Sequence, residues 1–484
     1  MLTRLRRWRA LILAAIVLLL LGSIDAWLKT TADPGYCPEN PLWTLAIDDF
    51  PGFYAALGAC DSSKAALPEL RKPLADLARG IRLATGIRPT PLRCRVWFGN
   101  KLFAAYTEEG IGFCVHPGLL TRLVYLYRHL TARTPTEEGV SRFGSFCYGW
   151  REGFLIVSPS SLYVRASLMA AKPSVESLEG RRDMRLAWAG SGSEGGIRVR
   201  PEDGFPVDGW IQGQLAQRRA DGLSLSESWP APPLMSVVVS RWSDLKIPAD
   251  LARAGLEYAS QRFLDEETRE QILSMAAEGV EYLSTQIDTD ALPKDWDRSV
   301  DECALALWDI DTDETIPVPE LALVLHSAEP AFGPHPFEKA LAADSRIPHE
   351  WDGRPGIVIP WMGEKLMLCL ATRDQDRLLT TQEPLMAELI GAEIAGTPRE
   401  ADAALALNWA KAGHCAGVLL ARAADLELVP RMNRKDVEIE WMPYIRAASH
   451  LGMLDLQATS RGGRIVFQGF LARQGTQTAA PPQP

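Results

Sequence analysis

The sequence predicts an α+β protein: an N-terminal transmembrane helix followed by two duplicated units, each a mainly antiparallel sheet with helices packed on one face. Three observations predict it. An arginine cluster precedes an apolar segment at the start, short apolar runs alternate with Gly-containing turns, and landmarks of the first half recur in the second. The chain's 484 residues also exceed one ordinary core, at roughly 100–200 residues per domain.

The anchor comes first. Arg4, Arg6, Arg7 and Arg9 stand before an unbroken apolar run from Ala10 to Leu21, and no charge appears before Asp25. Trp8 and Trp27 lie 19 positions apart, about 28 Å along a helix, which suits a pair of interfacial anchors. A cleaved signal peptide would end near Ala26, but Ile24 sits where cleavage prefers a small residue. The reading is a single-pass inner-membrane anchor over residues 1–28, N-terminus cytoplasmic and the bulk periplasmic or extracytoplasmic. The four asparagines begin no Asn-x-Ser/Thr site, which fits a bacterial envelope.

The spacer 29–41 leads into a first unit over 42–200. Its opening strand is Leu42–Ile47, and Leu70, Leu74, Leu77 and Ile81 fall on one helical face. Strands at Leu92–Phe98 and Gly112–His116, a helix at Pro117–Leu130 and a hairpin across Trp150–Phe154 follow. A short helix and a strand ending at Trp188 complete it. The proline-rich stretch 201–233 is the expected linker. The second unit, 234–473, repeats the plan: a strand at Leu234–Ser240, a helix from Glu266 to Leu283, strands at Ala304–Trp308 and Leu321–His326, a hairpin at Trp361–Lys365 and a strand ending at Trp409. Residues 474–484 form a polar tail with nothing to bury. The alignment rests on Trp97 with Trp308, His116 with His326, Trp150 with Trp361 and Trp188 with Trp409, at offsets of 211, 210, 211 and 221. Tryptophans repeated in strand text are expected in the core, whereas Trp210 and Trp229 are expected to be exposed.

A net charge of -10 excludes a nucleic-acid partner, because phosphate binding needs a surplus of cations. Beyond Lys29 the chain keeps 46 cations against 60 acids, a net -14 that anionic lipid repels. The anchor alone must therefore hold it at the membrane. Of the eight cysteines, Cys37 and Cys60 sit in loop-like text and form the expected disulfide; Cys94, Cys114, Cys147 and Cys369 read as small buried hydrophobes.

Asp309, Asp311 and Asp313 alternate in one segment, so their carboxylates can converge on a hard cation such as Ca or Mn, or on a metal–diphosphate. Glu314 occupies the position where an EF-hand needs glycine, so that loop class does not apply. Gly413-His414-Cys415-Ala416-Gly417 has the spacing of a nucleophile elbow with cysteine as nucleophile. Aligned on Trp188 and Trp409, however, Cys415 falls on Glu194, and both are expected in turns between antiparallel strands. His116 and His326 read as hydrogen-bonded strand-end residues. No P-loop, dinucleotide fingerprint or Cys/His metal spacing is present. The sequence therefore reads as a binding or scaffold protein with no catalytic residue assigned, its partner an envelope protein or a glycan. The alternative is a metal-dependent transferase or hydrolase using Asp309, Asp311 and Asp313.

Overall fold

The computed structural model describes residues 35–60, 64–72, 101–117, 139–143, 146–170, 184–190, 193–200, 205–215, 229–247, 296–311, 318–327, 335–340, 346–361, 366–392, 400–425 and 433–473, with positions 75, 79, 99, 223, 225, 250, 253, 266, 270, 274 and 292. The expected α+β class is corrected: nineteen strands dominate these residues, helices are few, and every described pairing is antiparallel. The expected anchor, the strand at Leu92–Phe98 and the helices at Pro117–Leu130 and Glu266–Leu283 lie outside the described residues, or almost so. No helix among the described residues is long and apolar enough to cross a membrane. Strand continues through glycines whose local sequence signals a turn: β8 (Ser193–Val199) runs through Gly195 and Gly196.

The chain divides into two units, one over residues 1–64 and 71–209 and the other over 65–70 and 210–484. The first unit contains β1 (Trp43–Ile47), β2 (Leu102–Thr107), β3 (Gly110–Val115), β4 (Ser141–Phe143), β5 (Phe146–Arg151), β6 (Phe154–Ser158) and β7 (Met184–Gly190), besides β8. They pair in the order β8-β7-β1-β2-β3-β6-β5-β4. Period-two alternation turns Phe103, Ala105, Cys114 and Ile156 to one buried face. Helix α1 (Phe50–Ala59) follows β1, capped by Asp49. Helix α2 (Ser161–Met169) covers the buried face with Tyr163 and Val164, its first turn capped by Ser160. A Cβ at Gly112 would collide with the Tyr163 ring, so this glycine sets how closely the helix approaches the sheet.

The second unit contains β10 (Met235–Val239), β11 (Glu302–Asp311), β12 (Val318–His326), β13 (Ile347–Trp351), β14 (Arg354–Trp361), β15 (Leu366–Arg373), β16 (Asp376–Thr380), β17 (Ala403–Asn408), β18 (Leu451–Arg461) and β19 (Arg464–Arg473). Their order is β19-β18-β17-β10-β11-β12-β16-β15-β14-β13. One face buries Val238, Ala304, Ala306, Val324 and Leu378 against Leu385, Met386 and Leu389 of a helix. The opposite face buries Val237, Val239, Cys303, Leu323 and Leu325 beneath Trp242, Trp296 and Phe337. A strand buried on both sides reads as a continuous apolar run, as 321–325 does, whereas in β11 the second face is covered at Cys303 and open at Leu305. Its described helices include α3 (Pro336–Ala340), α4 (Glu383–Gly391), α5 (Trp409–Asp425) and α6 (Met442–Ser449).

Eight strands keep the same order in both units, and the hairpins β5–β6 and β15–β16 fix the correspondence. Arg151 faces Phe154 across one turn, and Arg373 faces Asp376 across the other. Carried through the register, Val115 corresponds to Leu325, Leu102 to Cys303, Ile47 to Val239 and Met184 to Ala403. His116 therefore matches His326. The tryptophan landmarks do not fall where the sequence alignment puts them: Trp150 matches Thr372, and Trp188 matches Leu407. Trp97 lies outside the described residues, and Trp361 belongs to β14. Trp308 is buried as expected of a core residue, but Trp150, Trp188 and Trp409 are half-buried. The stretch 201–233 contains β9 (Phe205–Gln212) and contributes Leu223 and Leu225 to the second unit's core.

Candidate functional site

Each β-hairpin described above ends in an arginine that serves the helix following it. In the first unit the Arg151 guanidinium donates to the carbonyls of Leu168 (2.8 Å), Ala170 and Ser167 at the C-terminus of α2. In the second unit Arg373 donates to Leu389 (2.6 Å) and Ala392 at the C-terminus of α4. Helix ends leave their last carbonyls unpaired, and a cation there satisfies both the acceptors and the dipole. The turns require a left-handed residue, supplied by Glu152 (φ 48°) with Gly153 (φ 84°), and by Asp374 (φ 50°).

Around this shared frame the two units differ. In the first, Arg151 lies over the Tyr36 ring at 4.4 Å, and the Tyr36 hydroxyl donates to Glu152. Burial, then that carboxylate, pushes the phenol up to about 12. His116 packs against Phe154, ring centroids 4.9 Å apart. In the second unit Asp376 stands where Phe154 does. Its Oδ1 meets His326 Nδ1 at 2.7 Å, and its Oδ2 accepts from Arg373 at 3.0 Å. Glu302, directly opposite His326 in the register, is 3% exposed and accepts the Leu225 amide at 2.9 Å. Arg377, also buried, donates to the Asp374 and Asp376 carbonyls. His335 lies in the same unit, pushed down to about 3 by burial and the Arg377 charge, so it stays neutral at working pH. The sequence signal for the arginines existed, as an Arg-acid pair at each turn: Arg151-Glu152 and Arg373-Asp374.

The aspartate motif maps onto the far ends of β11 and β12. Asp309 faces Glu320 across the strand pair beside a bulge at Leu307, Asp311 lies two residues on, and Asp313 is outside the described residues. Burial raises the Glu320 carboxyl, and the neighbouring charges of Asp309 and Asp311 raise it further, while Lys411 opposes them. Among the described residues, no group of three or more His, Cys, Asp or Glu has the arrangement of a metal site.

The elbow motif is neither an elbow nor the turn expected between strands. Cys415 lies inside α5, and Glu194 lies in β8. Gly413 and Gly417, four apart, let α5 approach α6 closely. A Cβ at Gly413 would sit 3.0 Å from Ser449 Cβ and 3.2 Å from the Ile445 carbonyl, and one at Gly417 would sit 3.3 Å from Met442 Cε. The Cys415 thiol donates to Asp309 Oδ1 at 3.5 Å. Burial and the Asp309 charge push that thiol up, the reverse of what a nucleophile needs. His414 instead lines an open cleft of about 650 Å³ between α5 and α6, with Arg422, Arg446, Asp425 and Glu438.

Cys37 and Cys60 are buried thiols, unbonded here. Cys37 belongs to the first unit's core with Cys114 and Cys147, and burial pushes its thiol up to about 11. Trp210 and Trp229 are not the exposed faces expected. Arg464 lies over Trp210 at 4.2 Å, and Trp229 packs edge-on against Trp308 at 6.0 Å.

No protein family and no curated protein matches the chain. A solved structure is similar: crystal form IV of TP0453, at 10% identity over 52% of this chain and 93% of that one, with a TM-score of 0.22. A likeness that slight carries no argument about fold or function.

Proposed function

We propose that this is a membrane-anchored extracytoplasmic protein of the bacterial inner membrane that binds or scaffolds a partner, with residues 1–28 as its anchor. The observation that carries the location is the arginine cluster before the apolar run Ala10–Leu21. The binding role is supported by how the described polar groups are used. Arg151, Arg373, Glu302 and Cys415 are each engaged by helix carbonyls, an amide or a carboxylate within the fold, so none is left poised as a nucleophile or base. The cleft between α5 and α6 offers the partner mixed charge over a small-residue floor. An envelope protein or a glycan fits it; the net charge speaks against nucleic acid. Crosslinked pull-down from membranes tests the role. Arg446→Glu should reduce recovery of the partner several-fold, and recovery unchanged by cleft substitutions counts against this site.

A second reading rests on the facing of Asp309 and Glu320, with Asp311 beside them: a Ca- or Mn-dependent transferase or hydrolase using Asp309, Asp311 and Asp313. A cation bound there would stabilise the fold by mass action, about 2.7 kcal/mol at a hundredfold excess over Kd, and so raise the unfolding midpoint. An unchanged midpoint in Ca and in Mn removes this reading.

A further inference from the structure

We propose that His326 is a proton-operated clasp, holding the end of β12 to β16 and, through Asp376 and Arg373, to the C-terminus of α4. The geometry is a continuous chain. His326 Nδ1 meets Asp376 Oδ1 at 2.7 Å, Asp376 Oδ2 meets Arg373 at 3.0 Å, and Arg373 meets the Leu389 carbonyl at 2.6 Å. The imidazole is 23% exposed and Asp376 12%, so the pair is little screened while a proton can still reach the ring. Every strand packed against His326 contributes charge. β16 brings Asp376 and Arg377, β15 brings Arg373, and β11 brings Glu302 opposite in the register, preceded by Asp301, whose amide donates to the His326 carbonyl. The Asp376 hydrogen bond holds the imidazole above its ordinary value of 6.5; burial works against it, and the charges of Asp376, Glu302 and Asp301 add to it.

The corresponding His116 has Phe154 where His326 has Asp376. One framework thus carries a histidine twice, and in the second unit the Asp376 carboxylate lies within hydrogen-bonding reach of it. A group whose folded pKa is raised contributes stability fully present below its unfolded value, here 6.5, and lost as pH rises through the folded value. His335 acts on the other side. Its lowered value puts its effect below pH 6.5, so the two windows do not overlap.

The test is thermal unfolding of the full chain in detergent between pH 6.5 and 9. The wild-type midpoint should fall as pH rises; His326→Gln should flatten that fall, and His116→Gln should keep it. An undiminished slope in a folded His326→Gln protein overturns the clasp. Should that variant not fold, a 13C-histidine titration of the wild type reads the same claim. One of its seven imidazoles should stay protonated above pH 6.5 with a slowly exchanging Nδ1 proton, and finding none overturns it.

Discussion

Arg373 and Arg151 occupy corresponding positions, yet they should not be equally costly to remove. Arg373→Ala leaves Asp376 without its guanidinium and the Leu389 and Ala392 carbonyls without a donor in a buried setting. That is the loss of one member of a buried pair, about 3–5 kcal/mol. Arg151→Ala loses carbonyl bonds and a ring contact but strands no bonded carboxylate, and about 2 kcal/mol is expected. Urea unfolding of the two variants should rank them in that order. Arg373→Lys should not rescue, since one ammonium cannot reach two carbonyls and a carboxylate in the guanidinium's fork geometry. At Cys415 the expected outcome is slow alkylation of the folded protein at pH 8, because burial and Asp309 favour the thiol. Fast labelling would mean an activated sulfur. Little of this was legible beforehand. A charged residue at a turn reads as solvated, and nothing in local text shows that a helix some sixteen residues on will lay its carbonyls over it.

Within the elements, glycine is where the text misled. Gly413 and Gly417 look like turn residues because glycine is a poor helix former and commonly marks loops, but here they face α6 from inside a helix. The structure separates their roles. Gly413→Ala meets the Ile445 carbonyl at 3.2 Å, backbone that cannot yield, whereas Gly417→Ala meets the flexible end of Met442. Alanine in a helix otherwise gains up to about 1 kcal/mol over glycine. Gly417→Ala should therefore be neutral or stabilising and Gly413→Ala destabilising, as chemical denaturation would show. The reverse order would mean that α5 and α6 do not pack this way. β1, β3, β10 and β12 are readable because each holds a short, mainly apolar run, such as Val237–Val239 or Leu321–Leu325, that leaves few alternatives to a buried strand. The β18–β19 hairpin gives no such signal, since its apolar positions alternate with polar ones around the turn Arg461-Gly462-Gly463-Arg464.

For the whole molecule, the repeat of strand order is a stronger organiser than any residue landmark. Tryptophans misaligned the halves because a large half-buried ring tolerates several positions on a sheet, whereas a two-residue turn fixes the register of both its strands. His116 and His326 aligned correctly because both end a strand beside such a hairpin. The functional proposal rests on what surrounds these units, and above all on the N-terminal segment. Membranes carrying the full chain, washed at alkaline pH, test it most directly. The expected result is a protein retained in the pellet with residues 1–28 intact by mass, and a chain lacking those residues released to the supernatant. A mature form beginning near Ala26 or Trp27 and released to the supernatant would contradict the anchor and with it the proposed role.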